Sequence, residues 1–323
     1  MKKVGIIGGS GYTGGELIRL IAQHPKLALT FVYSTTRAGK GLTTAHPDLL
    51  GTLDMTFTDT VDPEVDFVFL CLGHGHSVQF LSQHSFSANT TIVDLGNDFR
   101  LQADRQWNGK EFVYGLPEFQ RGAIQKAKAI ANPGCFATAI QLALLPLAQN
   151  GLLQEEVHVN ATTGSTGAGV GLSATSHFSW RNNNLSWYKP FTHQHLGEIG
   201  ETLDSFGTPT QVTFLPQRGA FTRGIFATAY LPFEGHLEMA QSLYSAYYAE
   251  HPFTQIAEEP ISLKQVVNTN FCFLHLHKHE NKLLITSVID NLIKGASGQA
   301  IQNVNLMMGW EEDLGLRIKA STF

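Results

Sequence analysis

Short apolar runs and amphipathic segments alternate along the first half of the chain. The apolar runs at 3–7, 27–34, 66–72 and 91–95 are predicted strands, and Tyr12–Gln23 has the spacing of a helix. The run at 66–72 is apolar at nearly every position, which is typical of a strand covered on both faces. This βαβ order predicts a doubly wound, Rossmann-like parallel sheet.

After about residue 151 the pattern changes. Strands of a mixed or antiparallel sheet are predicted at 157–163, 211–215, 224–231, 266–276 and 282–290. Helices are predicted at 137–149, 198–206, 236–250 and 296–310. The stretch 179–190 has no periodicity and is predicted to be a loop. The predicted fold class is α/β, with a Rossmann-like parallel-sheet domain and an α+β catalytic domain.

Composition limits the kinds of protein to consider. The 323 residues suffice for two domains, and 43% hydrophobic with 15% charged residues is an ordinary globular composition. A net charge of −5 disfavours nucleic acid and anionic membranes as partners, but it allows a small anionic substrate in a local cationic pocket. Three separated cysteines, no signal-peptide pattern and no membrane-length apolar run predict a reduced, cytoplasmic protein.

A glycine-rich turn separates the first predicted strand from the first predicted helix. Six of its residues match the pattern G-x-G-x-x-G: Gly9, Ser10, Gly11, Tyr12, Thr13 and Gly14. Glycines there let backbone N–H groups approach a pyrophosphate at the helix N-terminus. The motif therefore predicts a dinucleotide site, and a purely structural turn is the alternative.

The end of the second predicted strand indicates which dinucleotide binds. An NAD site usually has Asp or Glu there, whereas this segment offers the hydroxyls of Ser34 and Thr36 and the cation of Arg37. These groups suit the 2′-phosphate of NADP, and a solvated basic loop is the alternative. Gly73 and His74, which follow a predicted strand, are expected to line the nicotinamide pocket. No metal site is predicted, because the nearby histidines lack companion ligands.

One cysteine stands at the start of a predicted helix. The motif Asn-Pro-Gly-Cys135 leads into this helix, whose dipole and N-terminal N–H groups favour a thiolate and an oxyanion. A nucleophilic thiol needs a proton acceptor, and His193 and His195 are the best candidates. Cys71 and Cys272 lie in apolar strands and are predicted to be small buried side chains.

These motifs resemble those of the N-acetyl-γ-glutamyl-phosphate reductase family of arginine biosynthesis, which is related to aspartate-semialdehyde dehydrogenase. The similarity runs essentially from end to end, and its most specific motifs are Asn132-Pro133-Gly134-Cys135 and the segment from Asn291 to Gln299. It also includes Asp-Leu-Gly-Asn-Asp-Phe-Arg at 94–100, His193-Gln194-His195 with Glu198, and Thr-Arg-Gly at 222–224.

The resemblance implies a division of the chain and a set of roles. It implies an NADP-binding Rossmann-like domain at 1–148, completed by the C-terminal helix at 296–323, and an inserted catalytic and oligomerisation domain at 149–295. It implies Cys135 as the nucleophile and His195 as the acid/base residue. The resemblance implies a substrate contact at His193 and places Asn291, Lys294, Gly295 and Gln299 beside the cofactor. Arg100 and Arg223 are predicted to contact the phosphate or the α-carboxylate because of their charge, and Asn132 and Glu198 are also predicted to contact the substrate. Surface ion pairs are the alternative for the two arginines.

The chemistry implied by the resemblance is covalent. The thiolate takes the acyl group from an acyl phosphate, NADPH reduces the resulting thioester, and a semialdehyde leaves. Members of the family are commonly oligomeric, so a homodimer or homotetramer is expected.

The chain lacks two cations that the family pattern usually has, and Leu196-Gly197 replaces the common Thr-Pro. Val170 and Gln194 stand where the family usually has arginine, which leaves the acyl group of the substrate open. An N-succinyl substrate is therefore considered beside N-acetyl, with Arg181 or Lys189 as a replacement cation. Three further interpretations stay open: the same chemistry on aspartyl or aminoadipyl phosphate, a Cys-His acyltransferase or hydrolase that needs no dinucleotide, and an inactive NADP sensor.

Overall fold

The helices and strands are taken from a computed structural model that describes residues 1–73, 75–207 and 209–322. Within these ranges the α-helices are α1 (Tyr12–Gln23), α2 (His76–Gln83), α3 (Pro117–Ile124), α4 (Cys135–Gln149), α5 (Phe178–Arg181), α6 (His195–Asp204), α7 (Leu237–Tyr248) and α8 (Gly298–Met307). The strands are β1 (Lys2–Ile7), β2 (Leu27–Tyr33), β3 (Phe67–Leu70), β4 (Thr91–Asp94), β5 (Gln106–Trp107), β6 (Lys110–Glu111), β7 (Val113–Tyr114), β8 (Ala129–Ala131), β9 (Val157–Thr163), β10 (Ser186–Trp187), β11 (Val212–Arg218), β12 (Ile225–Pro232), β13 (Thr254–Ile256), β14 (Cys272–His279) and β15 (Lys282–Ile289).

The first of two compact units comprises Met1–Pro133 and Ala296–Arg317 and is built on a parallel sheet. Its strand order is β2-β1-β3-β4-β8-β7, and every neighbouring pair is parallel. Because β2 and β3 lie on opposite sides of β1, the strand order reverses at β1, which is where such sheets bind ligands. The predicted Rossmann-like sheet is thus confirmed.

The helices of this unit follow the apolar pattern of the sequence. Helix α1 buries Leu17, Ile18 and Ile21 and packs against β1 and β2. Helix α8 packs against α1 and α3, so the C-terminal segment completes the unit. The predicted helix at 296–310 is present in its main part, but it begins as a π-helical turn at Ile293–Ser297.

The second unit comprises Gly134–Gly295 and the terminal segment from Ile318. Its mixed sheet has the order β10-β11-β9-β12-β15-β14-β13, with parallel pairs at β11/β9 and β13/β14 and antiparallel pairs elsewhere. Helix α4 is buried from Phe136 to Ala148 and packs against β12, β15, α6 and α7. For that reason α4 groups with the second unit, whereas the predicted boundary lay after it, at residue 148.

A proline lies inside α4. Pro146 has no N–H to donate to the carbonyl of Leu142, one turn before it. The hydroxyl of Tyr248 in α7 donates to that carbonyl, and the hydroxyl of Tyr244 donates to the carbonyl of Ala143. The two tyrosines therefore hydrogen-bond the backbone around the proline, and the helix continues to Gln149.

The prediction of a loop at 179–190 was partly wrong. The segment contains the end of α5 and the short strand β10, which pairs with β11. Both elements are too short to produce a periodic pattern. Nowhere in the described ranges does a helix combine the length and apolarity needed to cross a bilayer.

Candidate active site

Cys135 is the first residue of α4 and directly follows the N-cap residue Gly134. Gly134 has extended backbone angles, φ −69° and ψ 149°, so the helix begins at the thiol itself. The first N–H groups of a helix have no partner within the helix, and they favour negative charge. Cys135 is half-buried, while the rest of the helix up to Ala148 is buried. A thiolate or an oxyanion is therefore favoured at this point.

The other two thiols have different surroundings. Burial raises the pKa of Cys71 to about 12, and the nearby Asp94 adds to the rise while a hydrogen bond with Thr13 opposes it. The thiol of Cys272 is buried 3.5 Å from the hydroxyl of Ser287. Cys272 is therefore a small buried side chain within a strand, as predicted, whereas Cys71 follows β3 and is half-buried.

The imidazole of His193 is surrounded by other rings. Its centroid lies 5.4 Å from that of Phe136, 5.6 Å from Phe214 and 4.5 Å from His195. The backbone N–H of His195 donates to Nδ1 of His193 at 3.2 Å, so the neutral ring carries its proton on Nε2. These contacts fix the first turn of α6 and the direction of the His195 side chain.

The carboxylate of Glu198 connects His195 to the residue before the thiol. One oxygen accepts the Gly134 N–H at 3.0 Å, and the other lies 3.9 Å from Nε2 of His195. Both side chains are almost fully buried, at 7% and 3% exposed, and they are neighbours on the same face of α6. Glu198 was predicted to contact the substrate; in the structure its carboxylate contacts Gly134 and lies beside His195.

Two glycines allow the backbone to approach the thiol and the histidine closely. A Cβ on Gly134 would lie 2.3 Å from Nε2 of His195 and 2.7 Å from Oε1 of Glu198. A Cβ on Gly295 would lie 2.7 Å from Cβ of Cys135. Gly295 belongs to the π-helical turn, and its N–H donates to the carbonyl of Asp290 at 2.9 Å. Gly295 was predicted beside the cofactor, and the structure places it against the nucleophile.

Tyr188 and Arg218 border the histidine pair and were not predicted. The ring of Tyr188 lies 5.7 Å from that of His193, and the guanidinium carbon of Arg218 lies 4.7 Å above the Tyr188 ring. Burial raises the pKa of Tyr188 well above its usual value, a negative charge on Cys135 raises it further, and Arg218 opposes the rise. Tyr188 is therefore within electrostatic reach of the thiol. Its sequence context, a tyrosine before a lysine in an aperiodic segment, gave no signal.

Arg223 and Asn291 brace the start of β12. The guanidinium of Arg223 forms a two-point ion pair with Asp290, at 3.1 and 3.2 Å. The side chain of Asn291 accepts the Gly224 N–H at 2.6 Å and donates to the hydroxyl of Thr166 at 3.0 Å. Arg223 was predicted as a substrate contact and Asn291 as a cofactor contact, and both side chains are engaged within their own unit.

The two suggested replacement cations are also engaged. Arg181 is buried and donates to the carbonyls of Thr175 and Arg218 and to the hydroxyl of Ser186. The ammonium of Lys189 donates to the side chain of Gln194 at 3.1 Å. Arg181 therefore holds the segment before β10 in place.

The glycine-rich turn of the first unit follows β1 at the reversal of strand order. A Cβ on Gly9 would lie 2.1 Å from Val32, and one on Gly14 would lie 2.6 Å from Cα of Gly9, so the turn itself requires both glycines. At Gly11, by contrast, a Cβ would meet only a carbonyl oxygen at 3.7 Å. Since the protein leaves room there, a glycine at 11 fits the close approach of a bound pyrophosphate.

The remaining residues of the turn lie at the start of α1. Ser10 is half-buried, Tyr12 is 42% exposed, and the carbonyl of Thr13 accepts the Ser297 hydroxyl at 2.9 Å. His46, which sequence analysis missed, donates from Nε2 to the carbonyl of Gly9 at 2.7 Å and so fixes the turn from behind. A single histidine in a loop gives no sequence signal for that contact.

Two hydroxyl groups and one guanidinium follow the end of β2, on Ser34, Thr36 and Arg37. The hydroxyls of Ser34 and Thr36 are 3.4 Å apart, and Arg37 donates to the carbonyl of Thr44 at 2.9 Å. Ser34 is buried and Thr36 is exposed. The three predicted residues are thus neighbours at the carboxyl end of β2.

Two carboxylates organise the start of α2. Asp98 accepts the N–H groups of Gly75 and Val78, at 2.7 and 3.0 Å, and Asp94 accepts the hydroxyl of Ser77 at 2.6 Å. Burial raises the pKa of Asp94 to about 6, although the hydrogen bond from Ser77 lowers it in part. Gly73, predicted beside the nicotinamide, is exposed just before this helix. The prediction for His74 lies outside the described residues.

Arg100 and Asn132 are buried supports of the same sheet edge. Arg100 donates to the carbonyls of Asn132 and Leu95, at 2.9 and 3.1 Å. The amide of Asn132 donates to the carbonyl of Ala296 at 3.0 Å, and its oxygen accepts from Asn303 at 3.2 Å. Both residues were predicted as substrate contacts, and the contacts found here are with protein groups.

Lys294 and Gln299, predicted beside the cofactor, are both fully buried at 0% exposed. Over the described ranges, no group of three or more His, Cys, Asp or Glu side chains is arranged to hold a metal ion.

Comparison with known families agrees with this architecture. Residues 3–127 match the model described as "Semialdehyde dehydrogenase, NAD binding domain", and residues 135–291 match "Semialdehyde dehydrogenase, dimerisation domain". An N-acetyl-γ-glutamyl-phosphate reductase of Flavobacterium johnsoniae is 59% identical, and one of Christiangramia forsetii is 57% identical, each over 100% of both chains. The chain belongs to the N-acetyl-γ-glutamyl-phosphate reductase family. This bears out the resemblance and gives no support to the acyltransferase, hydrolase or inactive-sensor interpretations.

Solved structures show the same fold at low sequence identity. Aspartate semialdehyde dehydrogenase II of Vibrio cholerae, complexed with ASA, superposes with a TM-score of 0.73 at 16% identity and covers 96% of this chain and 98% of its own. Aspartate semialdehyde dehydrogenase with NADP from Candida albicans gives 0.69 at 16% identity, with 95% and 98% covered. The match to the NAD-binding model and the family membership establish a nicotinamide-dependent oxidoreductase.

Proposed function

We propose that this protein catalyses the NADPH-dependent reduction of an N-acyl-γ-glutamyl phosphate to the N-acyl-glutamate semialdehyde and inorganic phosphate. The observation that carries this proposal is the arrangement at the start of α4. There the Cys135 thiol stands at a helix N-terminus, and the His195 imidazole, 3.9 Å from the Glu198 carboxylate, packs against the preceding residue. Full-length identity of 51–59% to reductases with this name supports the substrate class.

Each group at this site has a task in that reaction. The Cys135 thiolate attacks the γ-acyl carbon, the bond from that carbon to the phosphate oxygen breaks, and a thioester and inorganic phosphate result. The N–H groups of α4 stabilise the oxyanion of the tetrahedral intermediate. Bound NADPH supplies the hydride that reduces the thioester carbon. His195 protonates the resulting alkoxide and takes the proton back when the thiohemiacetal releases the aldehyde and the Cys135 thiolate.

The reverse reaction tests this proposal. Semialdehyde, phosphate and NADP⁺ should give NADPH, followed by the absorbance of the reduced nicotinamide, with wild type and Cys135→Ser. We expect the variant to lose at least about 1,000-fold in turnover, because the serine hydroxyl is not ionised at neutral pH, and to retain NADPH binding by fluorescence. Cys71→Ser is the matched control and should keep its turnover. Equal rates for Cys135→Ser and wild type would exclude the thioester route.

The preference for NADP is part of the proposal. The hydroxyls of Ser34 and Thr36 and the guanidinium of Arg37 lie together after β2, where the ribose 2′ position is recognised in Rossmann-like folds. Arg37→Ala should raise KM for NADPH by about 10- to 100-fold and leave KM for NADH within about twofold. An equal effect on both cofactors would argue against a 2′-phosphate contact.

The acyl group is tested by comparing substrates. The kcat/KM values for N-acetyl-glutamate and N-succinyl-glutamate semialdehyde, with aspartate semialdehyde as the control, rank the candidates directly. We expect both N-acyl substrates to exceed aspartate semialdehyde by at least about 100-fold, because the shorter chain cannot place its carbonyl at Cys135 while its carboxylate is bound.

We also propose that the second unit associates with a second copy of the chain. Seven large apolar side chains within 170–191 are at least half exposed: Val170, Leu172, Phe178, Trp180, Leu185, Trp187 and Phe191. An exposed cluster of this kind marks an interaction surface, and it lies within the residues that match a dimerisation domain. Phe178→Glu should yield a monomer in sedimentation velocity, whereas Met239→Glu, on α7, should not. A wild type that sediments as a monomer would refute the proposal.

A further inference from the structure

The proposed substrate carries a carboxylate, which a cationic side chain would bind. The three arginines predicted for this task all contact acceptors of the protein itself. Arg223 is paired with the fully buried Asp290, and Arg100 donates to two backbone carbonyls. Arg181 is likewise engaged by carbonyl oxygens. The guanidinium groups of these three arginines thus already have acceptors within the protein.

Arg218 is the last residue of β11, on the face that carries the histidine contacts. Side chains alternate between the two faces of a strand, so Arg218 shares a face with Phe214, four residues earlier. The Phe214 ring lies 5.1 Å from that of Phe136 and 5.6 Å from that of His193. The Arg218 side chain thus extends the same surface beyond the histidine pair.

Tyr188 joins Arg218 to the catalytic groups. The guanidinium lies over the Tyr188 ring at 4.7 Å, and that ring packs edge-on against His193 at 5.7 Å. Two residues shortly after Tyr188 have a positive φ: 44° at Lys189 and 62° at Phe191. This conformation is costly for a bulky side chain such as that of Phe191. Strain of this kind is found where a segment must present particular side chains, and here it presents Tyr188 and His193.

Two polar groups at the end of these strands lack partners. Within the described ranges, Nε of Arg218 is buried without a hydrogen-bond acceptor, and so is the hydroxyl of Thr163. Thr163 is 1% exposed and is the register partner of Arg218 on the parallel strand β9, so the two residues point to the same face. A buried donor without a partner is costly, and an anionic ligand would satisfy both donors.

We propose that Arg218, supported by the ring of Tyr188 and joined by the hydroxyl of Thr163, binds a carboxylate of the acyl substrate. This inference rests on the proposed function. A carboxylate is the preferred occupant over the phosphate, because the phosphate leaves in the first step while the carboxylate remains until the semialdehyde departs. The bound carboxylate is either the α-carboxylate of the glutamyl group or a carboxylate of the acyl group, and both have the same chemistry toward a guanidinium.

The test measures KM separately for semialdehyde, phosphate and NADP⁺ in the reverse reaction. Arg218→Met should raise KM for the semialdehyde by about 10- to 100-fold and leave KM for NADP⁺ within about twofold. Arg218→Lys should restore part of the loss, because it keeps the charge without the fork geometry. Arg317→Met, which removes an exposed cation paired with Asp313, is the matched control and should leave all three KM values unchanged.

Two substrates distinguish the source of the carboxylate. A rise in KM for both N-acetyl- and N-succinyl-glutamate semialdehyde supports recognition of the α-carboxylate, whereas a rise for the succinyl substrate alone supports recognition of the acyl carboxylate. An unchanged semialdehyde KM in Arg218→Met, or a rise confined to phosphate, would overturn the proposal. Wild type that turns over neither substrate would refute the proposed function and this assignment with it.

Melting temperatures distinguish a role of Arg218 and Thr163 in substrate binding from a role in the stability of the fold. Since the hydroxyl of Thr163 lacks a partner in the described structure, Thr163→Val should melt at or above the wild-type temperature, whereas Arg218→Met loses the contact with the Tyr188 ring as well. Thr163→Val keeps the shape of the side chain and should still raise the semialdehyde KM by about 3- to 10-fold. Lower melting temperatures with unchanged KM values in both variants would mean that the two residues only support the fold.

Discussion

Gly134→Ala adds one methyl group against the imidazole of His195, the proposed acid/base residue. The backbone angles at 134 are already allowed for alanine, so the change introduces no backbone strain. The new Cβ would lie 2.3 Å from Nε2 of His195, whereas ordinary contact begins at 3.4 Å. The imidazole must therefore retreat by roughly 1 Å, a displacement that can cost about 100-fold in rate, or about 2.7 kcal/mol in activation free energy.

The assay is the steady-state reverse reaction together with a melting curve. We expect kcat of Gly134→Ala to fall by about 100-fold while NADP⁺ binding is unchanged and the melting temperature drops by only a few degrees. Gly200→Ala is the matched control, because Gly200 lies in the same helix as His195 and a Cβ there meets nothing within 4 Å. It should be fully active and slightly more stable. Turnover of Gly134→Ala within about threefold of wild type would refute the placement of His195 as the acid/base residue.

Three further changes test different contacts. Glu198→Gln should lower kcat by roughly 10- to 100-fold and move the pH–rate profile to lower pH, since the amide still accepts the Gly134 N–H but no longer favours the imidazolium. The pKa of Asp94 in the folded protein is about 6, above its usual value of 3.8, so the folded state favours the protonated carboxyl. The contribution of Asp94 to the free energy of unfolding is therefore complete below pH 3.8 and is lost as the pH rises through 6. Relative to Asp94→Asn, wild type should therefore lose up to about 3 kcal/mol of unfolding free energy between pH 4 and pH 7, measured in urea. His46→Leu should raise KM for NADPH and NADH by the same factor, about 3- to 10-fold, because it releases the carbonyl of Gly9 from behind the nucleotide turn; different factors for the two cofactors would contradict this role.

The helices and strands that could be predicted are those in which the pattern of apolar side chains within the element itself indicates its type. Phe67–Leu70 is buried at every position, and its sequence is apolar at every position, so the strand was evident. Helix α4 was predicted in spite of Pro146, because apolar residues follow helical spacing along its whole length. Strand β8 was missed because three residues are too few to show a period. Helix α2 was missed because it is short and begins with polar residues.

The candidate site was predictable where a residue type is rare for its setting, as with Cys135 after Pro-Gly. It was not predictable where the role depends on a partner distant in sequence. Arg100 looks like an anion contact until its acceptor, the carbonyl of Asn132, is seen 32 residues later. Arg218 has no signal at all, because the ring beneath it, Tyr188, lies 30 residues earlier on a strained segment.

The first unit is discontinuous in the chain, and this has a consequence for synthesis on the ribosome. Helix α8, which packs against α1 and α3, is translated only after residues 134–295 of the second unit. At 5–20 residues per second, the roughly 160 residues between Pro133 and Ala296 delay it by about 8 to 30 s. During that interval the nascent parallel sheet lacks its last helix, so residues 134–295 have time to begin folding before the first unit is complete.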